Sequence, residues 1–434
     1  MASLPPGTPP DPSPDELSSA GEGGWSWLYR VPTFQTLQYR EFRLLWAGQA
    51  TVSMGQWMDQ VSRGWLIYEL TDSAFQLGSI RAVQAIPFFF LSPLAGTLAD
   101  RYDRKRQMLV AQIINGVLYA LLAVLVVTHL VQVWHVYVTA IATSIVQVFQ
   151  NPPRQALVSE TVPDRAIVNA VGLNTMMFNL SRTLGPALAG VLIAFWGTGG
   201  AYAVQTGFYV LATVWTFALR PESRPPVDHE PLSIKVVFKS QMEGWRFARS
   251  SPPVQIGLLV SMLAGLLVLP FTTLLPVFAR DILQAGPTGQ GALLTSMGVG
   301  ALFSSVMMAS LGNRLPRGAV MLGGVAAYGL SVAAFASSSV FYLSILLMVL
   351  AGGFHVSSQS LSQTVVQTYS PQAIRGRMMA VFQQNQVAQT AGGLLAGSLA
   401  SLWGAPWALA SMGIACAGCM GVIALALPHA RTIR

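Results

Sequence analysis

The sequence predicts an all-α membrane protein with 12 membrane-spanning helices in two bundles of six. Hydrophobic residues make up 53% of the 434 positions and charged residues only 10%, well below the charged share of a typical soluble domain. The apolar residues form blocks of about 20, the length that an α-helix needs to cross the hydrocarbon core. A long polar segment near the middle of the chain divides these blocks into two equal sets. These observations exclude an ordinary water-soluble globule.

The apolar blocks define the individual helices, and the short polar turns between them are predicted to be the loops. The predicted spans cover residues 43–69, 76–99, 107–128, 134–153, 166–196, 201–219, 254–279, 289–311, 318–336, 341–366, 377–402 and 406–427. Each block is long enough for one crossing.

The polar segments outside the spans complete the predicted domain organisation. Residues 1–38 begin with a stretch rich in Pro, Ser, Gly and acidic residues and are predicted to be a disordered tail. Residues 220–252 are predicted to be a cytoplasmic linker with an amphipathic helix at the membrane face. The linker joins a first bundle, residues 39–219, to a second bundle, residues 253–428, and residues 429–434 form a C-terminal tail.

The distribution of basic residues predicts the orientation in the membrane. The formal net charge is +8, and all but four of the 25 Lys and Arg residues fall in the two tails, the linker and alternate loops. The exceptions, Arg63, Arg81, Arg182 and Arg280, lie within or at the outer ends of spans. Because cytoplasmic loops carry the excess of Lys and Arg, both termini are predicted to be cytoplasmic. The charge therefore indicates contact with the lipid bilayer of the cell (inner or plasma) membrane rather than a nucleic-acid partner.

The two halves share a faint internal repeat. The segment GTLADRYDRK, residues 96–105, corresponds to ASLGNRLPRG, residues 309–318, and each follows the second span of its half. LVSETVPDRAIVNAV before the fifth span is likewise echoed by VVQTYSPQAIRGRMMAV before the eleventh. Two parallel repeats about an axis normal to the membrane are a known arrangement of secondary transporters.

The first repeated segment resembles a family signature. PLAGTLADRYDRKR is similar to the G-x-L-a-D-R-x-G-R-K/R pattern of the major facilitator superfamily, with Asp103 where glycine is usual. The stretches FRLLWAGQATVSMGQWM, GWLIYELTDSAFQLG, LVSETVPDRAIVNAVGLN and RGRMMAVFQQN resemble the enterobactin-exporter and macrolide-efflux-like branch of the drug:proton antiporters. This resemblance implies the major facilitator fold and the export of small molecules.

The resemblance also implies two functional segments. The signature loop would act as a conformational latch, with Asp100 held at a helix N-terminus of the other half, since helix N-termini attract carboxylates. The alternative is that the loop only determines the topology of the chain in the membrane. The latch residues are Gly96, Asp100, Arg101, Arg104 and Lys105. The fifth span resembles an antiporter motif through Gly172, Gly185, Pro186 and Gly190, with Ser181 and Ala189 replacing two glycines.

Ionisable residues inside spans are the candidates for proton coupling, because each costs several kcal/mol within the bilayer. Asp59 is the only acidic residue well inside a span. Arg63 lies four residues further on the same helix face, so a purely structural ion pair is the alternative. Arg182, near the midplane of the fifth span, is a possible partner of Asp59 with a gating or structural role. His355 is a second proton candidate, or else a packing residue.

Uncharged polar residues at membrane depth predict a water-filled cavity, because lipid does not tolerate so many of them. The cavity candidates are Arg81, Gln147, Asn174, Asn179, Gln359, Gln363, Gln384 and Asn385. Hydrogen bonding between helices is the alternative for any single one, and Arg81 could instead extend to the interface.

The sequence therefore predicts a secondary active transporter that exports small amphipathic organic molecules by proton-coupled alternating access. A narrow exporter of a siderophore or metabolite is the alternative within transport, followed by an importer. The sequence contains no nucleotide-binding, zinc-protease or hydrolase motif. No enzyme activity, cofactor or metal is expected, and the protein is predicted to be a monomer.

Overall fold

The computed structural model describes residues 32–220, 234–311 and 316–431, which form helices joined by short turns. Nine helices in these ranges are long and apolar enough to cross a membrane. The main helices are α1 (Arg40–Thr71), α2 (Ala74–Arg101), α3 (Arg104–Val127), α4 (Val133–Glu160), α5 (Ile167–Ala218), α6 (Ile234–Ser250), α7 (Pro252–Leu267), α8 (Gly286–Leu311), α9 (Arg317–Ala336), α10 (Phe341–Thr368), α11 (Arg375–Gln383), α12 (Asn385–Trp403) and α13 (Ala405–Ala426). The all-α prediction is confirmed.

Helix α5 contains a chain reversal, as the gap between the predicted fifth and sixth spans indicates. Gly197 has φ 69° and ψ 178°, a conformation that interrupts the helix and that glycine adopts readily. Beyond it, the second arm of α5 runs antiparallel to α1. Gly48 of α1 faces Thr216, and Gly55 faces Tyr209. The two glycines let the second arm pack closely on α1.

Two spans that the sequence predicts as single helices are interrupted. After α7, the chain continues as a 3-10 helix over Leu269–Leu274 and a π-helical turn over Phe278–Ile282. Pro270 and Pro276 lie in this segment, and each lacks the N–H group that a regular helix requires. The predicted span 377–402 is divided at Gln384 into α11 and α12.

The helices form two groups that meet along two pairs of helices. In the first group α1 and α3 pack against α5, and α2 packs against α4. In the second group α8 and α9 pack against α10, and α9 also packs against α13. Contacts of α5 with α8 and of α2 with α12 join the groups. A cavity lies between them.

Glycines allow the two groups to approach closely. A Cβ atom on Gly78 of α2 would lie 2.5 Å from the carbonyl oxygen of Gly393 in α12. A Cβ on Gly190 of α5 would lie 2.5 Å from the carbonyl oxygen of Pro287 in α8. These contacts lie towards the end of the bundle farthest from both chain termini, here called the distal end. Larger residues would push the groups apart.

The last residues of the predicted disordered tail are ordered in the structure. Pro32–Gln38 form a 3-10 helix, and the hydroxyl of Thr36 donates a 2.7 Å hydrogen bond to Asn169. Residues 1–31 lie outside the described ranges. The prediction therefore placed the end of the tail too far into the chain, because composition alone does not reveal a tertiary contact.

Helix α6 lies in the segment predicted to be the linker, of which residues 221–233 lie outside the described ranges. Trp245 of α6 donates a 2.9 Å hydrogen bond to Gln384, at the break between α11 and α12. Glu243 pairs with Arg377 of α11 at 2.5 Å. The helix is therefore docked against the second group.

Gly78→Ala should lower the apparent melting temperature of the purified protein. The added Cβ would lie 2.5 Å from a carbonyl oxygen, and overpacking of this kind costs about 1–3 kcal/mol. Gly418→Ala is the matched control, since nothing lies within 4 Å of its Cβ position. Thermal unfolding of both variants in detergent tests this, and equal melting temperatures would contradict the close approach of α2 and α12.

Candidate functional site

The cavity between the two groups has a volume of about 730 Å³ and is lined from both sides. The first group contributes residues of α1 to α5, and the second contributes residues of the segment after α7 and of α8, α10 and α12. Seven glutamines line it: Gln56, Gln60, Gln84, Gln147, Gln290, Gln386 and Gln389. Apolar side chains such as Trp57, Phe88, Phe178 and Met297 line the remainder. The cavity thus combines hydrogen-bonding groups with apolar surface.

A buried ion pair lies in the wall of this cavity. Arg63 Nε donates to Asp59 Oδ2 at 3.0 Å, one helical turn apart on α1. The guanidinium also donates to α4, at 3.2 Å to the carbonyl oxygen of Val136 and at 3.1 Å to the hydroxyl of Thr139. At 3.5 Å it reaches the hydroxyl of Thr143. Arg63 therefore links α1 to α4 through contacts that do not depend on Asp59.

Asp59 is only partly satisfied by these contacts. Its second oxygen, Oδ1, is buried without a hydrogen bond among the described residues, and so is the hydroxyl of Tyr202. Tyr202 lies beside Asp59 and interacts with it electrostatically. Tyr119 stacks near Tyr202 with ring centroids 6.0 Å apart. Burying a carboxylate oxygen without a donor costs free energy, so Asp59 differs from the carboxylate of a fully satisfied structural ion pair.

Three other ionisable candidates lie in the cavity wall. Arg81 donates one hydrogen bond, at 3.4 Å to the carbonyl oxygen of Gln60. Arg182 and His355 line the cavity near each other, one on each side of the boundary between the groups. The expected pair between Asp59 and Arg182 is not formed, because Asp59 is held by Arg63 on its own helix.

The uncharged polar candidates fall in several places. Gln147 lines the cavity. The side chains of Gln359 and Asn385 both bond to Ser261 and thereby join helices inside the second group. Gln384 bonds to α6. Asn179 donates to the carbonyl oxygen of Thr175 on its own helix, and Asn174 and Gln363 are half-buried outside the cavity wall as described.

Sequence reasoning missed several residues of the wall. Gln56, Trp57, Tyr119, Tyr209 and Gln290 line the cavity but carry no charge or motif. A signal for four of them was present, because glutamines and tyrosines at membrane depth need polar partners. Nothing in the sequence separates those that face the cavity from those that face another helix.

The signature loop lies at the end opposite the distal end. The side chain of Asp100 and the surroundings of Gly96 are outside the described part, so the contact expected of Asp100 remains a prediction. Arg101 is exposed. The other basic members contact the first group: Arg104 pairs with Glu160 at the end of α4, and Lys105 donates a 2.5 Å hydrogen bond to the carbonyl oxygen of Leu219.

Asp103, which departs from the family pattern, caps a helix. Its side chain accepts a 2.7 Å hydrogen bond from the backbone N–H of Arg106 at the start of α3. Aspartate is a favoured N-cap residue. The substitution of the usual glycine is therefore compatible with the turn.

The antiporter-like motif places its small residues at helix contacts. A Cβ on Gly185 would lie 2.7 Å from the Cβ of Trp57 in α1. Pro186 lines the cavity, and Gly190 faces α8 across the boundary. Gly172 has no neighbour within 4 Å of its Cβ position. Three of the four matched residues thus shape the contacts around the cavity.

A polar cavity enclosed by membrane-length helices from two groups defines a multi-pass membrane transporter. The chain belongs to the transmembrane secretion effector family of the major facilitator superfamily, whose model matches residues 31–433. The superfamily predicted from the signature loop is therefore confirmed. The protein is a multi-pass transporter of the cell membrane.

Its relatives include transporters of different compounds. The staphyloferrin A transporter of Staphylococcus aureus (strain NCTC 8325 / PS 47) is 24% identical over 373 residues, covering 83% of this chain and 90% of the relative. The multidrug efflux pump Tap of Mycolicibacterium fortuitum is 24% identical, covering 88% and 94%. The enterobactin exporter EntS of Shigella flexneri is 25% identical, covering 87% and 88%.

Solved structures share the fold. A bacterial homologue of the iron transporter ferroportin in an inward-facing state superimposes with a TM-score of 0.68 at 17% identity, covering 91% of this chain and 99% of that one. The nucleoside transporter NupG superimposes with a TM-score of 0.68 at 15% identity, covering 91% and 100%.

Arg63→Gln should destabilise the protein more than the double variant Asp59→Asn/Arg63→Gln. Removing one partner of a buried ion pair leaves an uncompensated charge, which costs about 3–5 kcal/mol, whereas removing both leaves none. Arg280→Gln is the control, because Arg280 pairs with Asp72 and Asp281 at an exposed site. Melting temperatures of the purified variants test this; a double variant less stable than Arg63→Gln would contradict the pairing.

Proposed function

We propose that this protein exports small amphipathic organic molecules by proton-coupled alternating access, with both termini in the cytoplasm. The proposal includes 12 crossings in two bundles, residues 39–219 and 253–428, joined by the linker 220–252. The 52-residue helix α5 supplies two crossings. The helices α1 and α12 supply two more, although the polar residues that they carry lower their hydropathy.

The observation that carries the coupling proposal is the environment of Asp59 and Arg63. When Asp59 takes up a proton at a carboxylate oxygen, its charge is neutralised and the ion pair is lost. Arg63 then keeps three acceptors on α4, at Val136, Thr139 and Thr143. When Asp59 is neutral, Arg63 loses its counter-charge but keeps these three hydrogen-bond acceptors, which favours a titrating role over a purely structural pair. Such a change at the cavity wall would bias one packing of the groups over another.

Side chains at the distal end support alternating access. Arg280 pairs with Asp72 of the first group, and the hydroxyl of Tyr68 donates to Asp281. The Arg280 guanidinium also lies over the Tyr68 ring, 4.9 Å from its centroid. Together these contacts, called the distal lock, hold the two groups together at one end of the cavity. We assign this arrangement to a state open towards the cytoplasm, which opens outwards when the lock breaks.

The substrate proposal follows from the cavity and from the relatives. A wall of glutamines and apolar side chains suits small amphipathic organic molecules. Because relatives include a multidrug efflux pump and two siderophore transporters, a dedicated exporter of one siderophore or metabolite is the second candidate. An importer is the remaining alternative.

Asp59→Asn should abolish proton-driven transport. We would load inside-out membrane vesicles with acid and follow uptake of rhodamine 123, ethidium and fluorescein, with and without a protonophore. Wild-type uptake of any probe should collapse with the protonophore, and Asp59→Asn should lose this gradient dependence while keeping exchange of probe across unenergised vesicles. Exchange of probe requires a folded transporter but no net proton movement. Retained exchange in Asp59→Asn would therefore show that the variant has lost coupling and is still folded.

The control for this experiment is Glu243→Gln, which removes an acid on α6 outside the cavity. Its gradient-driven uptake should match that of the wild type. Unchanged proton dependence in Asp59→Asn would overturn the role of Asp59. The absence of uptake of every probe by the wild type would overturn broad export and favour a narrow substrate.

Arg280→Ala should make the cavity more accessible from the distal end. In a cysteine-free background, Cys416→Ser/Cys419→Ser, a cysteine introduced as Thr273→Cys would report on access, because Thr273 lines the cavity and is 9% exposed. Labelling of whole cells by a membrane-impermeant maleimide should rise several-fold with Arg280→Ala, and Arg249→Ala on α6 should leave it unchanged. Equal labelling of the Thr273→Cys reporter alone, with Arg280→Ala and with Arg249→Ala would contradict the distal lock.

A further inference from the structure

The cavity wall carries more positive than negative charge. Its charged residues, among those described, are one carboxylate, Asp59, and three guanidinium groups, Arg63, Arg81 and Arg182. Asp59 and Arg63 offset each other through their 3.0 Å ion pair. Arg81 and Arg182 remain, so the cavity has a surplus of two positive charges. The formal charge of the whole chain does not explain this surplus, because the other basic residues lie mainly in loops, the tails and the linker.

Arg182 has no acceptor among the residues that the structure describes. It makes no hydrogen bond and no ion pair with them, and the side chain of the second group that it influences electrostatically is His355, which carries no negative charge. A guanidinium presents five N–H donors. Such a group within a membrane protein needs water or an anion as partner.

Arg81 is almost as poorly satisfied. Its single hydrogen bond, to the carbonyl oxygen of Gln60, is long at 3.4 Å. It is also within electrostatic range of the pair formed by Asp59 and Arg63. Since Asp59 is already bound to Arg63, most donors of Arg81 are available to the cavity.

An apolar surface lies next to Arg182. Phe178 precedes Arg182 by one helical turn and packs edge-on against Trp57 of α1, with ring centroids 5.7 Å apart. Leu269 and Met297 add apolar wall from the second group. A ligand that reaches Arg182 therefore has an apolar or aromatic surface beside its charged group.

We infer that the cavity selects amphipathic organic anions, with acidic groups bound by Arg81 and Arg182 and an apolar body against Trp57 and Phe178. Guanidinium groups bind carboxylates and related oxyanions through paired hydrogen bonds, and they repel cations. This inference rests on the proposed function in that it takes the cavity as the transport site. It narrows the substrate class, because it excludes lipophilic cations as preferred ligands.

An anionic substrate adds a driving force to the proposed cycle. A membrane potential that is negative inside expels an anion, in addition to any proton gradient. Protonation of Asp59 would increase the positive surplus, so proton and anion would not compete through charge. The two gradients would instead be linked through the change of conformation.

Equilibrium binding to the full chain in lipid nanodiscs tests the inference. Fluorescein and rhodamine 123 share a xanthene scaffold, but at neutral pH the first is an anion and the second a cation. Fluorescence anisotropy would give the Kd of each for the wild type, Arg182→Gln, Arg182→Lys and Arg81→Gln. Arg249→Gln, an exposed position on α6, is the matched control.

The wild type should bind fluorescein at least about tenfold more tightly than rhodamine 123. Arg182→Gln and Arg81→Gln should each weaken fluorescein binding by about tenfold or more, which corresponds to a loss of about 1.4 kcal/mol. Arg182→Lys should recover part of the loss, since lysine keeps the charge but not the paired geometry. Arg249→Gln should bind as the wild type does, and melting temperatures would confirm that each variant is folded.

Three results would overturn the inference: rhodamine 123 bound as tightly as fluorescein, no saturable fluorescein binding by folded wild type, or an unchanged fluorescein Kd in Arg182→Gln. Failure of the proposed function looks different. It would be the absence of gradient-driven uptake of every probe, cationic or anionic, in the vesicle experiment. Uptake of cations with no preference for anions would leave export standing and remove only the anion selectivity.

Discussion

The ion pair between Asp59 and Arg63 is the interaction on which the interior of the first helix group depends. A charge away from water needs a partner, because the low dielectric offers little other compensation. Arg63 has four acceptors: Asp59 on α1 and three groups on α4. The pair therefore fixes the position of α1 against α4 and places a carboxylate in the cavity wall. The surrounding tyrosines and the cavity follow from that placement.

Two kinds of contact join the helix groups, and they differ in how easily they break. The glycine contacts of α2 with α12 and of α5 with α8 are close approaches of backbone to backbone. The polar contacts of the distal lock are partly exposed, so each contributes little to stability. Weak polar contacts at the distal end lie beside helix surfaces formed by glycine. This combination suits a protein whose two helix groups must separate at the distal end and remain attached elsewhere.

The helical class and most helix positions follow from the sequence because apolar length and polar turns are local properties. The reversal at Gly197 and the linker helix α6 were predicted for the same reason. The breaks after α7 and at Gln384 were not predicted. Proline explains the first, but the second involves contacts of Gln384 with Trp245 and Gln241 on α6, which are distant in sequence.

The sequence by itself determined which ionisable residues lie at membrane depth, since any charge within an apolar block stands out. It identified Asp59, Arg63, Arg81, Arg182 and His355, and the structure places all five in the cavity wall. Only the tertiary structure decided their partners. Asp59 and Arg63 pair within one helix, Arg182 has no acceptor in the described part of the chain, and Gln359 and Asn385 join helices instead of facing the cavity. The reason is geometric: which face of a helix meets the cavity depends on helix rotation and packing, and a nearly uniformly apolar sequence specifies neither.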